Sequence, residues 1–103
     1  MTTKELIAEN KEQPRFDNVI VTLNTDLEFG EDNAISEFQE VIAVGSYVKD
    51  LEPGDKVRLD IEKLYEPYIE HGEKMYRVKI SPVEIGDTTC AIITDRIIKT
   101  ILK

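Results

Sequence analysis

The chain has 103 residues, of which 41% are hydrophobic and 33% are charged, and its formal net charge at pH 7 is −8. This length and composition predict one globular domain whose core is large enough to fold without disulfide bonds. The charge argues against a nucleic-acid partner, because 13 lysines and arginines lie scattered among 21 aspartates and glutamates and form no basic face.

The cellular location can be predicted from the apolar segments of the chain. No apolar run approaches the roughly 20 residues that a membrane helix needs, so we expect no membrane partner. Residues 1–16 lack the apolar core and cleavage pattern of a signal peptide. We therefore expect a cytoplasmic protein, or a virion protein if a phage encodes the chain.

Residues 1–14 differ from the rest of the chain and predict a short helical or extended arm. Thr2 and Glu5 have the spacing of a capping box, and the following residues contain no glycine or proline until Pro14. Leu6 and Ile7 provide a small apolar patch. Because so short a helix is marginal in water, it must dock on something or fray. Leu6 and Ile7 are therefore candidate contacts to a partner protein.

Residues 15–103 predict a single all-β domain. Residues 18–24 alternate in the manner of a strand, with Val19, Val21 and Leu23 on one face. Further strands are predicted at 38–45, 56–61, 75–80, 89–94 and 97–102. A Pro53–Gly54 pair predicts a type II turn, and Gly86–Asp87 predicts another turn. Six short strands with such turns favour a small barrel or a sandwich.

Two polar segments interrupt the predicted strands and supply further candidate contacts. Residues 27–39 form an acidic stretch that predicts a loop or an irregular hairpin, with Phe29 and Ile35 as its apolar candidates. Residues 62–74 form an excursion that contains Tyr65, Tyr68 and Ile69. Amphipathic aromatic side chains often anchor protein interfaces. Two interpretations stay open, because these rings either bind a partner or fold back over the end of the barrel.

Catalytic and metal-binding patterns are weak in this sequence. His71 is the single histidine and Cys90 the single cysteine, whereas a catalytic zinc site needs about three protein ligands. We expect His71 to be a solvated loop residue and Cys90 to be buried. The acidic residues from Asp26 to Asp32 do not fit the EF-hand spacing. No phosphate-binding loop or nucleophile motif is present. The sequence therefore predicts a protein that is not an enzyme and has no cofactor.

Three segments resemble the ten-kilodalton co-chaperonins, the GroES-like family. Residues 40–45 read EVIAVG and residues 51–57 read LEPGDKV, in the order in which that family has them. Residues 91–101 are similar to the family's last two strands, and residues 16–21 lie at the position of its first strand. The resemblance implies a small GroES-like β-barrel that binds proteins and forms a homo-oligomer.

One departure from the family pattern determines the predicted function. Co-chaperonins carry a long mobile loop after the first strand, which ends in an apolar tripeptide that docks on the chaperonin. Here the connection is only residues 27–39, and Ala34–Ile35–Ser36 is its nearest counterpart. We therefore expect a non-enzymatic structural or assembly protein, such as an accessory (decoration) protein of a viral capsid, whose partner is the shell protein. The alternative is a divergent co-chaperonin that caps a chaperonin ring.

Overall fold

A computed structural model gives the structure of residues 1–26 and 34–102. Within these residues the chain is mostly β, which confirms the predicted fold class. The helical segments are α1 (Thr3–Glu9), α2 (Ile61–Leu64) and a 3-10 turn (Asp95–Ile97). The strands are β1 (Asn18–Thr22), β2 (Thr25–Asp26), β3 (Ala34–Ile35), β4 (Phe38–Val44), β5 (Lys56–Leu59), β6 (Tyr65–Glu70), β7 (Glu73–Val78), β8 (Ser81–Ile85), β9 (Thr88–Thr94) and β10 (Ile98–Leu102).

Six strands form one antiparallel sheet in the order β10-β5-β4-β1-β9-β8. Strand β4 changes partner along its length, since residues 38–40 pair with β5 and residues 41–44 pair with β1. A register shift in the β1–β4 pairing accompanies this change. The two parts of the sheet share β4. In the described residues β8 and β10 do not pair with each other, so they are the outer strands.

The main core lies on the inner face of this sheet. Because side chains alternate along a strand, strands such as β1 and β5 send every second residue to that face. The buried residues of this first core cluster are Val19, Val21, Val41, Val48, Leu51, Val57, Leu59, Leu64, Ala91, Ile93 and Ile97. Val19 and Val21, predicted to share one face of a strand, therefore lie in this cluster, and Leu23 packs against it.

A second core cluster lies on the opposite face of the same sheet, where helix α1 covers it. Its buried residues are Leu6, Ile20, Ile42, Ala43, Val83, Ile85 and Cys90. The helix begins with the predicted capping box, in which the Thr2 hydroxyl accepts a hydrogen bond from the Glu5 backbone N–H at 3.2 Å. The segment predicted as an arm is thus docked on the sheet. Strand β1 consequently has buried side chains on both of its faces.

The buried side chain of Gln39 holds together the two ends of the segment that joins β1 to β4. Gln39 is 2% exposed, and its side-chain oxygen accepts hydrogen bonds from the Thr22 hydroxyl at 2.7 Å and the Asn24 backbone N–H at 2.8 Å. Its side-chain nitrogen donates to the carbonyl oxygens of Asn24 and Ser36, both at 2.9 Å. The Ser36 N–H also donates to the Asn24 carbonyl oxygen at 3.0 Å. Asn24 and Ser36 are thereby held together.

The structure adds strands that the sequence pattern did not predict. Residues 65–70, within the predicted polar excursion, form β6 and pair with β7. No strand was predicted between residues 80 and 89, yet Ser81–Ile85 forms β8. The residue Ile61, predicted to end a strand, instead begins α2. The turn at Pro53–Gly54 is present, with a positive φ of 98° at the glycine.

Candidate protein-binding hairpin

Strands β6 and β7 form a two-stranded hairpin that is separate from the main sheet. Its turn consists of His71 and Gly72, whose φ angles of 52° and 79° are those of a two-residue type I′ turn. This turn matches the right-handed twist of the strands. It also fixes the register in which Pro67 lies opposite Tyr76 and Tyr68 lies opposite Met75.

The hairpin is anchored to the domain only at its base. Leu64 is fully buried, and its carbonyl oxygen accepts a hydrogen bond from the Lys79 N–H at 2.6 Å. Tyr65 and Val78, the first opposed pair of the hairpin, are partly buried against the first core cluster. Beyond this pair nearly all residues of both strands are exposed. An isolated two-stranded hairpin is only marginally stable in water, so this projecting hairpin stands to gain stability from a partner.

One face of the hairpin carries groups that interact with each other. Arg77 forms an ion pair with Glu66 at 3.4 Å, and its guanidinium lies 5.1 Å from the centre of the Tyr68 ring. The Tyr68 hydroxyl also lies 3.9 Å from the Met75 sulfur. Polar and charged groups on this face are therefore satisfied within the hairpin and in water. These charged groups therefore have little to gain from burial, although Met75 on the same face is 42% exposed.

The other face is mostly apolar and carries one charged residue, Lys74, which lies opposite Ile69. We define the apolar hairpin face as Tyr65, Pro67, Ile69 and Tyr76, which point to one side because side chains alternate along each strand. Ile69 is 80% exposed and Tyr76 is 61% exposed. Exposed proline, isoleucine and tyrosine side chains beside the half-buried Tyr65 form the kind of surface that protein interfaces bury.

Two shallow hollows lie along the hairpin and could receive side chains of a partner. The first has a volume of about 540 Å³ and is lined by Ile61, Glu62, Tyr65, Pro67 and Tyr76. The second, about 450 Å³, is lined by Pro67, Tyr68, Ile69, Gly72 and Lys74. Glu62 and Lys74 place one charge of each sign at the margins of these hollows. A partner side chain could thus be both buried and electrostatically oriented.

The predicted contact residues of the 62–74 segment lie together, but on two faces. Tyr65 and Ile69 belong to the apolar hairpin face, whereas Tyr68 lies on the charged face. Tyr65 packs on the core, as the second interpretation has it, whereas Ile69 is exposed and its contact with a partner stays a prediction. Tyr76 was not among the predicted contacts. Its position opposite Pro67 follows only once the turn at residues 71–72 is known.

The remaining predicted contacts lie away from the hairpin. Leu6 is 3% exposed in the second core cluster, and Ile7 packs against that cluster, so Leu6 is not free to bind a partner while α1 is docked. Ile35 pairs with Thr25 and packs against the first core cluster. Phe29 lies outside the described residues, as does most of the acidic stretch.

Groups with catalytic or metal-binding potential do not converge in the described part of the chain. The His71 side chain is 91% exposed at the tip of the hairpin, as predicted, with the Glu70 carboxylate 3.8 Å away. Cys90 is fully buried, also as predicted. Burial raises the pKa of its thiol, and the charge of Glu84 raises it further. Within residues 1–26 and 34–102 no cluster of three metal-ligating side chains occurs.

A hollow beside α1 offers a different kind of surface. It has a volume of about 610 Å³ and lies between the start of the helix and the ends of β1 and β4. Glu40 and Lys56 are the charged side chains among its lining residues, which include neither His71 nor Cys90.

Comparisons with known proteins identify no relative of the chain. No protein-family model matches the sequence, and no curated protein sequence matches it. None of the helices in residues 1–26 and 34–102 is long and apolar enough to cross a membrane.

Proposed function

We propose that the chain is a non-enzymatic binding protein that docks on a larger protein assembly through the apolar hairpin face. The observation that carries this proposal is the exposure of Ile69 and Tyr76 on one face of the hairpin, while the Arg77 and Glu66 side chains on the other face pair with each other. Burying aromatic and aliphatic side chains of this kind provides most of the binding energy at protein interfaces.

Charge restricts the kind of partner that fits. The chain has a net charge of −8, and like charges on two approaching surfaces disfavour association. A partner with a neutral or basic surface around an apolar patch is therefore favoured. We propose an accessory role on a multi-subunit shell, of which the capsid of a virus is one example, since such a role requires binding without catalysis.

The proposal is tested by affinity capture from the native host with two matched variants. We expect the double substitution Ile69→Ser/Tyr76→Ser to reduce recovery of the shell protein at least about tenfold, the equivalent of 1.4 kcal/mol. The control is Tyr47→Ser, because Tyr47 is an exposed aromatic residue at 67% that lies far from the hairpin in sequence. Circular dichroism establishes that both variants are folded.

Two outcomes would contradict this proposal. Recovery of a chaperonin subunit, with the free protein in a ring-sized oligomer, would instead establish the co-chaperonin alternative. Equal recovery of the partner by the double variant and the wild type would show that the apolar hairpin face is not the docking surface.

A further inference from the structure

The outer edge of β7 presents backbone groups that have no partner strand in the described structure. Pro67 lies opposite Tyr76 and has no N–H, so this pair cannot exchange two hydrogen bonds. Hydrogen-bonded and non-hydrogen-bonded pairs alternate along an antiparallel hairpin. The bond from the Lys79 N–H to the Leu64 carbonyl oxygen shows that Leu64 and Lys79 form a hydrogen-bonded pair, which agrees with a non-hydrogen-bonded pair at Pro67 and Tyr76. The N–H and C=O groups of Lys74 and Tyr76 consequently point away from β6. Both residues are exposed, so these groups are accessible to another strand.

Two other outer strands, β6 and β8, carry a proline that blocks pairing, whereas β7 and β10 contain none. Strand β6 has Pro67 at an outward-pointing position, where its missing N–H interrupts any added ladder. In strand β8, Pro82 lies opposite Ala91. Its missing N–H likewise belongs to the outer edge of the strand, where it interrupts any added ladder. Strand β7 contains no proline over residues 73–78. Its edge can therefore accept a complete strand.

The side chains of β7 are complementary to a second copy of β7 in one antiparallel register. When the twofold axis passes through Met75, Glu73 lies opposite Arg77 of the second copy, and Lys74 lies opposite its Tyr76. Both contacts occur twice because of the symmetry. Opposite charges and cation–aromatic pairs at directly opposed positions stabilise antiparallel strands. In the register centred on Tyr76, Met75 would oppose Arg77 and Lys74 would oppose Val78, so both of these contacts would be lost. Glu73 would then face Lys79, which lies beyond the end of β7.

The existing contacts of the hairpin fit this arrangement. Arg77 already binds Glu66 on one side, and Glu73 of a second copy would approach it from the other side. The Lys74 ammonium lies 5.7 Å from the centre of its own Tyr76 ring, so it is already close to the edge that the second copy would occupy. The outward N–H and C=O groups of both residues supply the backbone ladder.

We propose that two copies of the chain associate through the outer edges of β7, antiparallel about Met75, to form a four-stranded sheet. The two apolar hairpin faces then become one continuous surface. This association uses backbone groups and charged side chains, so it stands independently of the proposed docking function. An interface limited to two strands is small, and we therefore expect a weak dimer that dissociates in the micromolar range.

A charge-exchange experiment tests the register. Sedimentation equilibrium of the full chain is measured for the wild type, for Glu73→Lys, for Arg77→Glu and for an equal mixture of the two variants. In a dimer of either variant alone, two pairs of like charges face each other across the interface. We therefore expect its dissociation constant to be at least about tenfold higher than that of the wild type. The mixture restores both opposite-charge pairs, and we expect a heterodimer of nearly wild-type affinity.

A second pair of variants tests the backbone ladder without altering the Glu66–Arg77 contact. Lys74→Pro removes an outward N–H and leaves the bonds to β6 intact, whereas Lys74→Ala removes only the side chain. We expect Lys74→Pro to abolish the dimer and Lys74→Ala to weaken it only a few-fold. The variant Ile69→Ser changes the apolar hairpin face and should leave the dimer unchanged, which separates this association from partner docking.

Three results would overturn the proposal. These are a wild-type protein that stays monomeric at high micromolar concentration, a mixture of the charge variants that does not dimerise, and a Lys74→Pro variant that dimerises as the wild type does.

Discussion

The side-chain amide of Gln39 makes four hydrogen bonds while almost completely buried, and these bonds join the ends of β1 and β4. The Thr22 hydroxyl, which is also buried, accepts in turn from the Glu40 backbone N–H at 3.0 Å. Such a network is stabilising only when each buried group has its partner. Removing the Gln39 amide should therefore lower the free energy of unfolding more than removing an exposed side-chain amide does.

We expect Gln39→Ala to lower the free energy of unfolding by about 2–4 kcal/mol, because several buried polar groups lose their partner. The matched control is Gln13→Ala, since Gln13 is exposed and its amide donates to the Val44 carbonyl oxygen at 2.9 Å. This control should cost about 1 kcal/mol or less. Urea-induced unfolding followed by circular dichroism measures both changes, and equal losses would contradict the role assigned to Gln39.

Gly45 occupies a position at which any side chain would collide with the backbone. A Cβ atom there would overlap the Phe16 carbonyl oxygen, which itself accepts a hydrogen bond from the Tyr47 N–H at 2.9 Å. We expect Gly45→Ala to destabilise the protein by about 1–3 kcal/mol through this overlap. Thermal unfolding measures the effect. A variant as stable as the wild type would show that the backbone near Phe16 moves aside without cost.

The raised pKa of the Cys90 thiol makes stability depend on pH in the alkaline range. Burial disfavours the thiolate in the folded chain, and the charge of Glu84 disfavours it further. The contribution of the neutral Cys90 thiol to the free energy of unfolding is complete below the pKa of the thiol in the unfolded chain. It is lost as the pH rises through the higher pKa of the thiol in the folded chain. We expect the wild type to lose more stability than Cys90→Ala as the pH is raised over this range. Parallel pH profiles in urea unfolding would contradict this.

Helix α1 shows how a short element can be stable when one residue is deeply buried. The helix has only seven residues, which is too few for stability in isolation. Its capping box satisfies N-terminal backbone groups, while Leu6 enters the second core cluster beside Ile20 and Ile42. The helix is therefore held by packing on the sheet more than by its intrinsic propensity.

We expect Leu6→Ala to destabilise the protein by about 2–4 kcal/mol, since it leaves a cavity between α1 and the sheet. Ile7→Ala should cost less, because Ile7 is only partly buried at the edge of the same cluster. Denaturant unfolding of the two variants provides the comparison. A small effect of Leu6→Ala would show that α1 leaves the sheet readily, as an arm that binds a partner would.

Much of the main sheet could be predicted from alternation, whereas the hairpin could not. Val19 and Val57 repeat at the strand period and lie in the first core cluster. Strands β6 and β8 were missed because Pro67 and Pro82 lie within them, and proline argues against a central strand. Both prolines lie on outer strands at outward positions, where no N–H is needed. This exception depends on pairing partners that the local sequence does not contain.

Part of the candidate site could also be predicted from the sequence, and the rest was missed because it depends on strand pairing. Tyr65 and Ile69 stood out as apolar residues in a polar segment, and the structure places both on one face. Tyr76 lies across the hairpin from them and is separated by a turn of His71 and Gly72, which is not the usual Asn-Gly pair. Without that turn the register of β7 was unknown. The partner residue of Pro67 was therefore unknown as well.

At the scale of the whole molecule, the main sheet separates two core clusters and the hairpin lies outside both. Strand β1 pairs on both sides, with β4 and with β9, and its side chains from Val19 to Thr22 are buried. The hairpin pairs only with itself and is buried only at its base. Local stability should therefore fall steeply from β1 to the tip of the hairpin.

We expect native-state hydrogen exchange to be slowest for the amides of β1 and β9 and much faster for those of Met75 and Arg77, which face β6. The hairpin can open without disrupting either core cluster, whereas β1 exchanges only when the whole sheet unfolds. Measuring at low protein concentration, with mass spectrometry or NMR, limits association between copies. Equal protection in β1 and the hairpin would show that the molecule unfolds as one cooperative unit.

The bonds that hold Asn24 next to Ser36 have a consequence for the sequence between them. Both ends of that segment are fixed by backbone and amide contacts that belong to the sheet, and the Ser36 N–H lies 3.0 Å from the Asn24 carbonyl oxygen. Lengthening a segment whose ends are already joined costs only the slowly growing entropy of ring closure, about 0.6 kcal/mol for each doubling in length. The position between residues 24 and 36 is thus suited to grafting. A foreign peptide epitope inserted between Asp26 and Ala34 would be closed into a loop by the pairs of β2 and β3, which the insertion leaves in place.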